Sequence, residues 1–265
     1  MSPRTDPAAL ATAVAAAHAM ADAARVAILP HFRTPMDVES KGAAFDPVTV
    51  ADRAGEAAMR AVLAARRPED GVLGEEEGAT EGTSGLTWVL DPIDGTRGFI
   101  SGTPTWGVLI ALRDAEGPVL GIVDQPFTGE RFLGTRDGAV WTRGQERREI
   151  RTRRTEALAE ATILTTFPEV GAQAEAAAFH RLAERCRLTR YGMDCYGYAL
   201  LAAGCVDLVV EAGLNAYDIA APVALVQGAG GTVTAWDGGP AHDGGTAVAA
   251  ATPALHAAAL EVLRG

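Results

Sequence analysis

The sequence holds only three cysteines, Cys186, Cys195 and Cys205, separated by nine and ten residues. That spacing offers neither a zinc-binding pair nor a disulfide framework, and it fits a reducing cytoplasm. Aromatic residues are scarce at 6%, and Lys plus Arg number 23 against 34 Asp plus Glu, a formal net charge of -11. Such a balance argues against non-specific attraction to nucleic acid or to an anionic membrane surface. The five histidines, among them His31, His180 and His242, share no metal-ligand spacing. No uninterrupted apolar run reaches membrane length. The alanine-rich stretch from Pro7 to Pro30 is broken by Asp22 and Arg25, and its Leu10, Val14, Ala17, Ala21, Ala24 and Ile28 recur at alternating steps of four and three. That pattern predicts an amphipathic helix ending at Pro30, not a leader or a membrane span.

What is present suits a folded protein with a sizeable core: 265 residues, 48% hydrophobic and 22% charged. A second helix is expected from about Val50 to Arg67, closed by Pro68. Short strands at Val72-Leu73 and Trp88-Val89-Leu90 are each expected to end in an acidic loop. Trp106 to Leu112 and Val119 to Val123 read as a hairpin, and Glu130 to Leu133 and Gly138 to Trp141 extend the sheet. Six arginines between Arg143 and Arg154 mark a change of composition. With no interleaved aromatics, they read as a solvated linker or edge strand before a nucleic-acid patch. We therefore expect an α+β lobe over residues 1–150 and an α/β lobe over residues 151–265. In the second lobe, strands at Thr162 to Leu164, Leu188 to Tyr191, Val206 to Val210, Thr232 to Trp236 and Ala247 to Ala251 alternate with helices near Ala172 to Arg185 and Tyr196 to Ala203, and from Asp218 and Pro253.

The informative segment is Trp88-Val89-Leu90-Asp91-Pro92-Ile93-Asp94-Gly95-Thr96. A buried strand is followed by two carboxylates three positions apart, with a proline fixing the backbone between them. Asp91, Asp94 and the Ile93 carbonyl could offer a hard divalent cation several oxygen ligands from one turn. The ordinary role of such aspartates is to cap a turn or a helix. Further acids at element ends shift the balance: Glu75 after a short strand, Asp52 beside a helix start, and Asp218 at the head of an apolar helical run. Clustered without a cation, these groups would repel one another.

Asp91-Pro92-Ile93-Asp94-Gly95-Thr96, with Gly74-Glu75-Glu76 before it and Tyr217-Asp218-Ile219-Ala220-Ala221 far downstream, resembles the inositol monophosphatase superfamily over about Pro47 to Trp236. The resemblance implies a layered α/β/α/β/α sandwich, of the type shared with fructose bisphosphatases, that usually forms homodimers, and magnesium-dependent hydrolysis of a small phosphomonoester. It implies that Glu75, Asp91 and the Ile93 carbonyl hold a first magnesium and that Asp91, Asp94 and Asp218 hold a second. A third ion near Glu75 is common in such enzymes. By the same resemblance Asp94, Gly95 and Thr96 bind the phosphate, Asp52 hydrogen-bonds the Thr96 hydroxyl, and Asp52, Thr96 and Glu75 serve catalysis.

Within the superfamily, Arg97 through Gly107 and Asp194-Cys195-Tyr196-Gly197-Tyr198 are more similar to histidinol-phosphate phosphatases than to inositol enzymes. That likeness puts Asp194 and Glu211 near the alcohol part of the substrate. Two carboxylates there would suit the ammonium and imidazole of L-histidinol phosphate and repel a second phosphate. Tyr196 or Tyr198 could pack on an imidazole ring, or simply within helix packing. The alternatives are the same machinery acting on inositol phosphate or on many phosphomonoesters, and a metal- or RNA-binding regulatory protein on the same fold.

Overall fold

The computed structural model describes residues 4, 6–35, 39–40 and 47–265. Helix α1 (Pro7–Ile28) starts where the Asp6 carboxylate accepts the Ala8 amide at 3.0 Å. By length and composition alone Pro7–His31 could cross a bilayer. Here, however, it buries Leu10, Ala17, Met20, Ala24 and Ile28 in a core shared with α2 (Val50–Arg66) and a sheet. Between these helices β1 (Glu39–Ser40) pairs antiparallel with β2 (Pro47–Val48).

Then follow β3 (Gly71–Gly74), β4 (Gly78–Thr80), β5 (Thr87–Asp94), the short α3 (Thr96–Ile100), β6 (Gly107–Asp114), β7 (Gly117–Gln125), β8 (Glu130–Thr135), β9 (Gly138–Arg143) and β10 (Glu146–Ile150). They form an eight-stranded sheet in the order β10-β9-β8-β7-β6-β5-β3-β4, antiparallel throughout except for the parallel pair β3 and β5. The arginine-rich segment is divided: β10 is the edge strand, with Arg148 over the Trp141 ring, while Arg153 reaches forward to the Gly204 carbonyl at 2.7 Å.

The remaining elements are β11 (Thr162–Thr165), α4 (Gln173–Ala183), β12 (Leu188–Tyr191), α5 (Asp194–Ala202), β13 (Leu208–Asn215), α6 (Ala216–Gly228), β14 (Thr232–Thr234), β15 (Gly244–Ala250) and α7 (Pro253–Arg264). Five strands make the second sheet, ordered β12-β11-β13-β15-β14, in which β11 runs parallel to both β12 and β13.

Strand alternation explains the layering, because successive side chains leave opposite faces. Trp88, Leu90, Val108 and Ile110 join α1 and α2, whereas Val89, Leu109 and Ala111 join Cys195 and Ala199 of α5 and Ala221 and Leu225 of α6. On the second sheet Leu164, Val209 and Ala249 meet the other side of α5 and α6, while Ile163, Leu208 and Val210 meet α4 and α7. The result is the expected α/β/α/β/α sandwich. Helix α6 lies close on the first sheet: a Cβ at Gly121 or Gly134 would collide with the backbone of Ala221 or Leu225.

Two boundaries differ from expectation at places that matter. Strand β5 does not stop before the acidic motif but runs through it to Asp94, with Asp91 opposite Leu109 and Asp94 opposite Gly107. Three steps on one strand against two on its neighbour make a β-bulge, and Pro92, with no N–H to give the ladder, sits inside it. Helix α5 begins at Asp194, two residues earlier than expected.

Candidate active site and metal centre

The bulge in β5 sets the site. Asp91 is 1% exposed, and its carboxylate accepts the Ile93 amide at 2.9 Å, which closes the tight turn around Pro92. Asp94 is held by a segment far along the chain: its Oδ2 accepts the Cys195 amide, in the first turn of α5, at 2.6 Å. Asp218 is the third residue of α6, and its Oδ2 accepts the Asn215 amide at 2.6 Å in a capping box. These three local solutions bring one carboxylate oxygen each from Asp91, Asp94 and Asp218 within 4.8 Å of one another.

Electrostatics brings Glu75 into the same group. Its amide donates to the Leu90 carbonyl at 3.2 Å, continuing the β3 and β5 pairing and setting Glu75 beside Asp91. Burial, first, and then the carboxylates of Glu75, Asp94 and Asp218 push the Asp91 pKa well up. Burial followed by Asp194 and Asp218 does the same to Asp94, against the opposing Cys195 contact. Carboxylates this close, Asp91 buried and the others half-buried, are costly as anions unless a cation shares them. The donor set is all oxygen, three carboxylates with Glu75 and the Ile93 carbonyl at hand, which suits a hard divalent cation.

The phosphate motif follows directly. Gly95 takes a left-handed conformation (φ 81°) at the start of α3, and a Cβ there would lie 2.8 Å from the Asp194 carboxyl carbon. The expected Asp52 to Thr96 hydrogen bond is corrected. The Thr96 hydroxyl donates instead to the Ile93 carbonyl at 3.1 Å. Asp52 is the third residue of α2 and accepts the Thr49 amide at 2.8 Å and the Thr49 hydroxyl at 2.6 Å. Its place in the helix cap commits one oxygen of the carboxylate, Oδ2, to Thr49.

Asp194 also has a left-handed backbone (φ 45°), rare for a residue with a side chain and a mark of strain held by its surroundings. Burial lifts its pKa to about 6, against the stabilising Thr105 hydroxyl and Arg97. Glu211 is buried on β13, where its carboxylate accepts the Thr165 hydroxyl (3.0 Å), the Thr166 amide (2.7 Å) and the Thr166 hydroxyl (2.9 Å). Burial raises it to about 7, with Asp194 adding to the effect. The Thr165-Thr166 pair at the end of β11 had no role in the sequence reading; a hydroxyl pair just past a buried strand was the available signal.

Tyr196 is corrected as well. Its ring packs edge-on to Phe132 and its hydroxyl donates to Glu130 at 2.6 Å, on the side of α5 that faces the first sheet. Two residues along a helix is a turn of about 200°, so Tyr196 and Tyr198 cannot share a face. Tyr198 packs with Leu164 and Val209 of the second sheet. It is 3% exposed, its hydroxyl has no hydrogen-bond partner among the described residues, and burial, then Glu211, Asp94 and Asp218, raise its pKa well above the ordinary phenol value.

A sequence model of the inositol monophosphatase family matches residues 9–264. The chain is 41% identical over 226 residues to the chloroplastic bifunctional phosphatase IMPL2 of Arabidopsis thaliana. The match covers 84% of this chain and 64% of that protein, just under two thirds of its length. It is 36% identical over 244 residues to a histidinol-phosphatase of Streptomyces coelicolor, covering 88% of this chain and 90% of the other. A solved inositol monophosphatase from Zymomonas mobilis superimposes with a TM-score of 0.85 at 41% identity, over 95% of this chain and 97% of that one.

Proposed function

The chain belongs to the inositol monophosphatase family and is a phosphatase of that family, and from that premise we propose that it hydrolyses L-histidinol phosphate with magnesium as its cofactor. The observation that carries the reaction class is the convergence of Asp91, Asp94 and Asp218 within 4.8 Å. Glu75, Asp91 and the Ile93 carbonyl would hold one ion, Asp91, Asp94 and Asp218 would hold a second, and a third would lie near Glu75. Bound there, magnesium supplies charge neutralisation for the phosphoryl oxygens and makes water nucleophilic at neutral pH.

The chain's own residues do the rest. The turn at Gly95 and the start of α3 present backbone amides and the Thr96 hydroxyl to the phosphate. Because the Thr96 hydrogen is given to the Ile93 carbonyl, the oxygen lone pairs are left to accept a hydrogen bond from the attacking water and orient it for in-line displacement. Asp52 steadies the neighbouring end of α2 through its cap. Residues 1–150 bring most of the metal ligands and residues 151–265 bring Asp218, Asp194 and Glu211, in a homodimer as the family likeness implies and in the reducing cytoplasm that the cysteine spacing fits.

Substrate choice is argued from Asp194 and Glu211. Asp194 sits against the Gly95 turn, with Arg97 lying over the exposed Phe167 ring beside it. An ionised Asp194 favours an alcohol portion that carries an ammonium over an uncharged inositol ring. The name of the Streptomyces relative agrees with this choice, and that of the Zymomonas structure supports inositol phosphate as the second reading. Phosphate release with magnesium from L-histidinol phosphate, inositol 1-phosphate and adenosine bisphosphate separates them. The expected result is at least a tenfold preference for histidinol phosphate, about 1.4 kcal/mol in transition-state binding, that Asp194→Asn removes. Equal rates, or a preference for inositol phosphate, overturn the substrate; salt-sensitive RNA binding without phosphate release overturns the enzyme.

A further inference from the structure

Glu56 lies on α2, one turn beyond Asp52, and is fully buried. Its carboxylate accepts the Glu76 amide at 2.7 Å through one oxygen and the Glu77 amide at 3.1 Å through the other. These are the two residues that follow Glu75 in the turn between β3 and β4. Arg60, one helical turn further on, donates its Nε to Glu56 at 2.8 Å and a terminal nitrogen to the Gly78 carbonyl at 2.6 Å. The ion pair thus closes around both ends of the turn. Gly74 is the strand residue against which Glu56 fits, since a Cβ at that position would collide with the Glu56 carboxylate.

A buried carboxylate is costly without good partners. Here every strong partner belongs to one turn or to the arginine that closes it. An apolar residue would fill the space between α2 and β3 at lower cost if packing were the only requirement. A carboxylate facing two successive backbone amides instead fixes the path of the chain immediately after Glu75, and with it the direction in which the Glu75 side chain leaves the strand.

We propose that Glu56 is a positioning residue that orients Glu75 for the cation, with Arg60 locking Glu56 in place. The proposal rests on the reading of Glu75 as a metal ligand. Outer partners of metal ligands govern metal affinity by about 10- to 100-fold. Glu56→Gln, which puts an amide nitrogen toward the backbone donors, is therefore expected to weaken magnesium binding in titration calorimetry by about tenfold. It should raise the magnesium concentration for half-maximal phosphate release by a similar factor, with KM for the phosphomonoester unchanged. Arg60→Gln is the gentler variant and should shift both in the same direction by less.

Glu75→Gln and the Glu56→Gln/Glu75→Gln pair complete the test. If Glu56 acts through Glu75, the double variant binds magnesium no more weakly than Glu75→Gln alone, a non-additivity expected of coupled residues. Normal magnesium affinity in Glu56→Gln and Arg60→Gln beside a weakened Glu75→Gln overturns the proposal and leaves Glu75 as a ligand. So does a lowered melting temperature with unchanged magnesium affinity, which marks a purely structural role. Unchanged affinity in Glu75→Gln overturns the reading of Glu75 itself.

Discussion

Asp124 on β7 and Asp91 on β5 are both buried aspartates of the first sheet, at 0% and 1% exposure, and the protein treats them in opposite ways. Asp124 receives Arg25 through two bonds of 2.6 and 2.7 Å and Arg131 through a third of 2.6 Å, and Arg131 is braced in turn by Asp22 at 2.7 Å. Asp91 faces Glu75, Asp94 and Asp218, and their charges add to the effect of burial on its pKa. Where the chain provides its own cations, a buried carboxylate ties α1 to the sheet. Where it gathers further carboxylates, the balancing charge has to come from solution, and that requirement distinguishes a site from a strut.

The comparison can be broken most sharply at Asp91. Asp91→Asn should lower turnover by on the order of a thousandfold, about 4 kcal/mol, measured as phosphate release at saturating magnesium. The metal-free variant should unfold at the same urea concentration as the parent or higher, because a repelling buried charge is gone. A variant that kept parental turnover would remove Asp91 from the reaction.

Asp124→Asn should show the reverse pattern. It leaves Arg25 without its carboxylate and Arg131 with Asp22 alone, and should cost about 3 kcal/mol in urea unfolding, while the folded fraction keeps its kcat. A large loss of kcat with unchanged stability would erase the distinction between the two aspartates.

pH sharpens it further. The folded pKa of Asp194 (about 6) and of Glu211 (about 7) lie above the ordinary carboxylate values, so the native state holds these protons more tightly than the unfolded chain does. Their stabilising contribution is full below about pH 4 and is lost as pH rises through 6 and 7. Metal-free protein in chelator should accordingly become easier to unfold with urea between pH 4.5 and about 7.5, and Glu211→Gln should flatten the upper part of that decline. Magnesium should recover stability most at the high end, where protons compete least for the carboxylates of the cluster. Stability that rose across this range in Glu211→Gln and parent alike would contradict the assignment of these groups.

The smallest effect is expected at Tyr196. Tyr196→Phe removes the hydroxyl from Glu130 and should cost about 1 kcal/mol of stability with substrate KM unchanged. A raised KM would return Tyr196 to the substrate.

Legibility in the sequence followed the range of the interaction involved. The faces of β5 and β6 were readable because alternation is a property of the strand itself, and Trp88 and Leu90 separate from Val89 without reference to any partner. The bulge was not, because it is defined by Asp91 and Asp94 pairing with Leu109 and Gly107. The two tyrosines of α5 looked equivalent until packing put Tyr196 toward the first sheet and Tyr198 toward the second. Asp52 was linked to Thr96 by likeness, yet the shorter loop to Thr49 captured it. Glu56 gave no signal, since an acid in the middle of an amphipathic helix ordinarily meets water.

By itself the sequence determined the order of the elements, which residues of a strand share a face and, through its likeness to a family, which carboxylates to consider together. These follow from local chemistry: strand alternation, helix caps, and a proline between two aspartates. The tertiary structure alone decided that Asp94 is held by an amide of α5, that Asp218 of α6 reaches β5, and that Glu56 rather than solvent receives the turn after Glu75. Each of those depends on segments far apart in the chain meeting at hydrogen-bond distance, a condition set by the packing of whole layers rather than by any residue's neighbours in sequence.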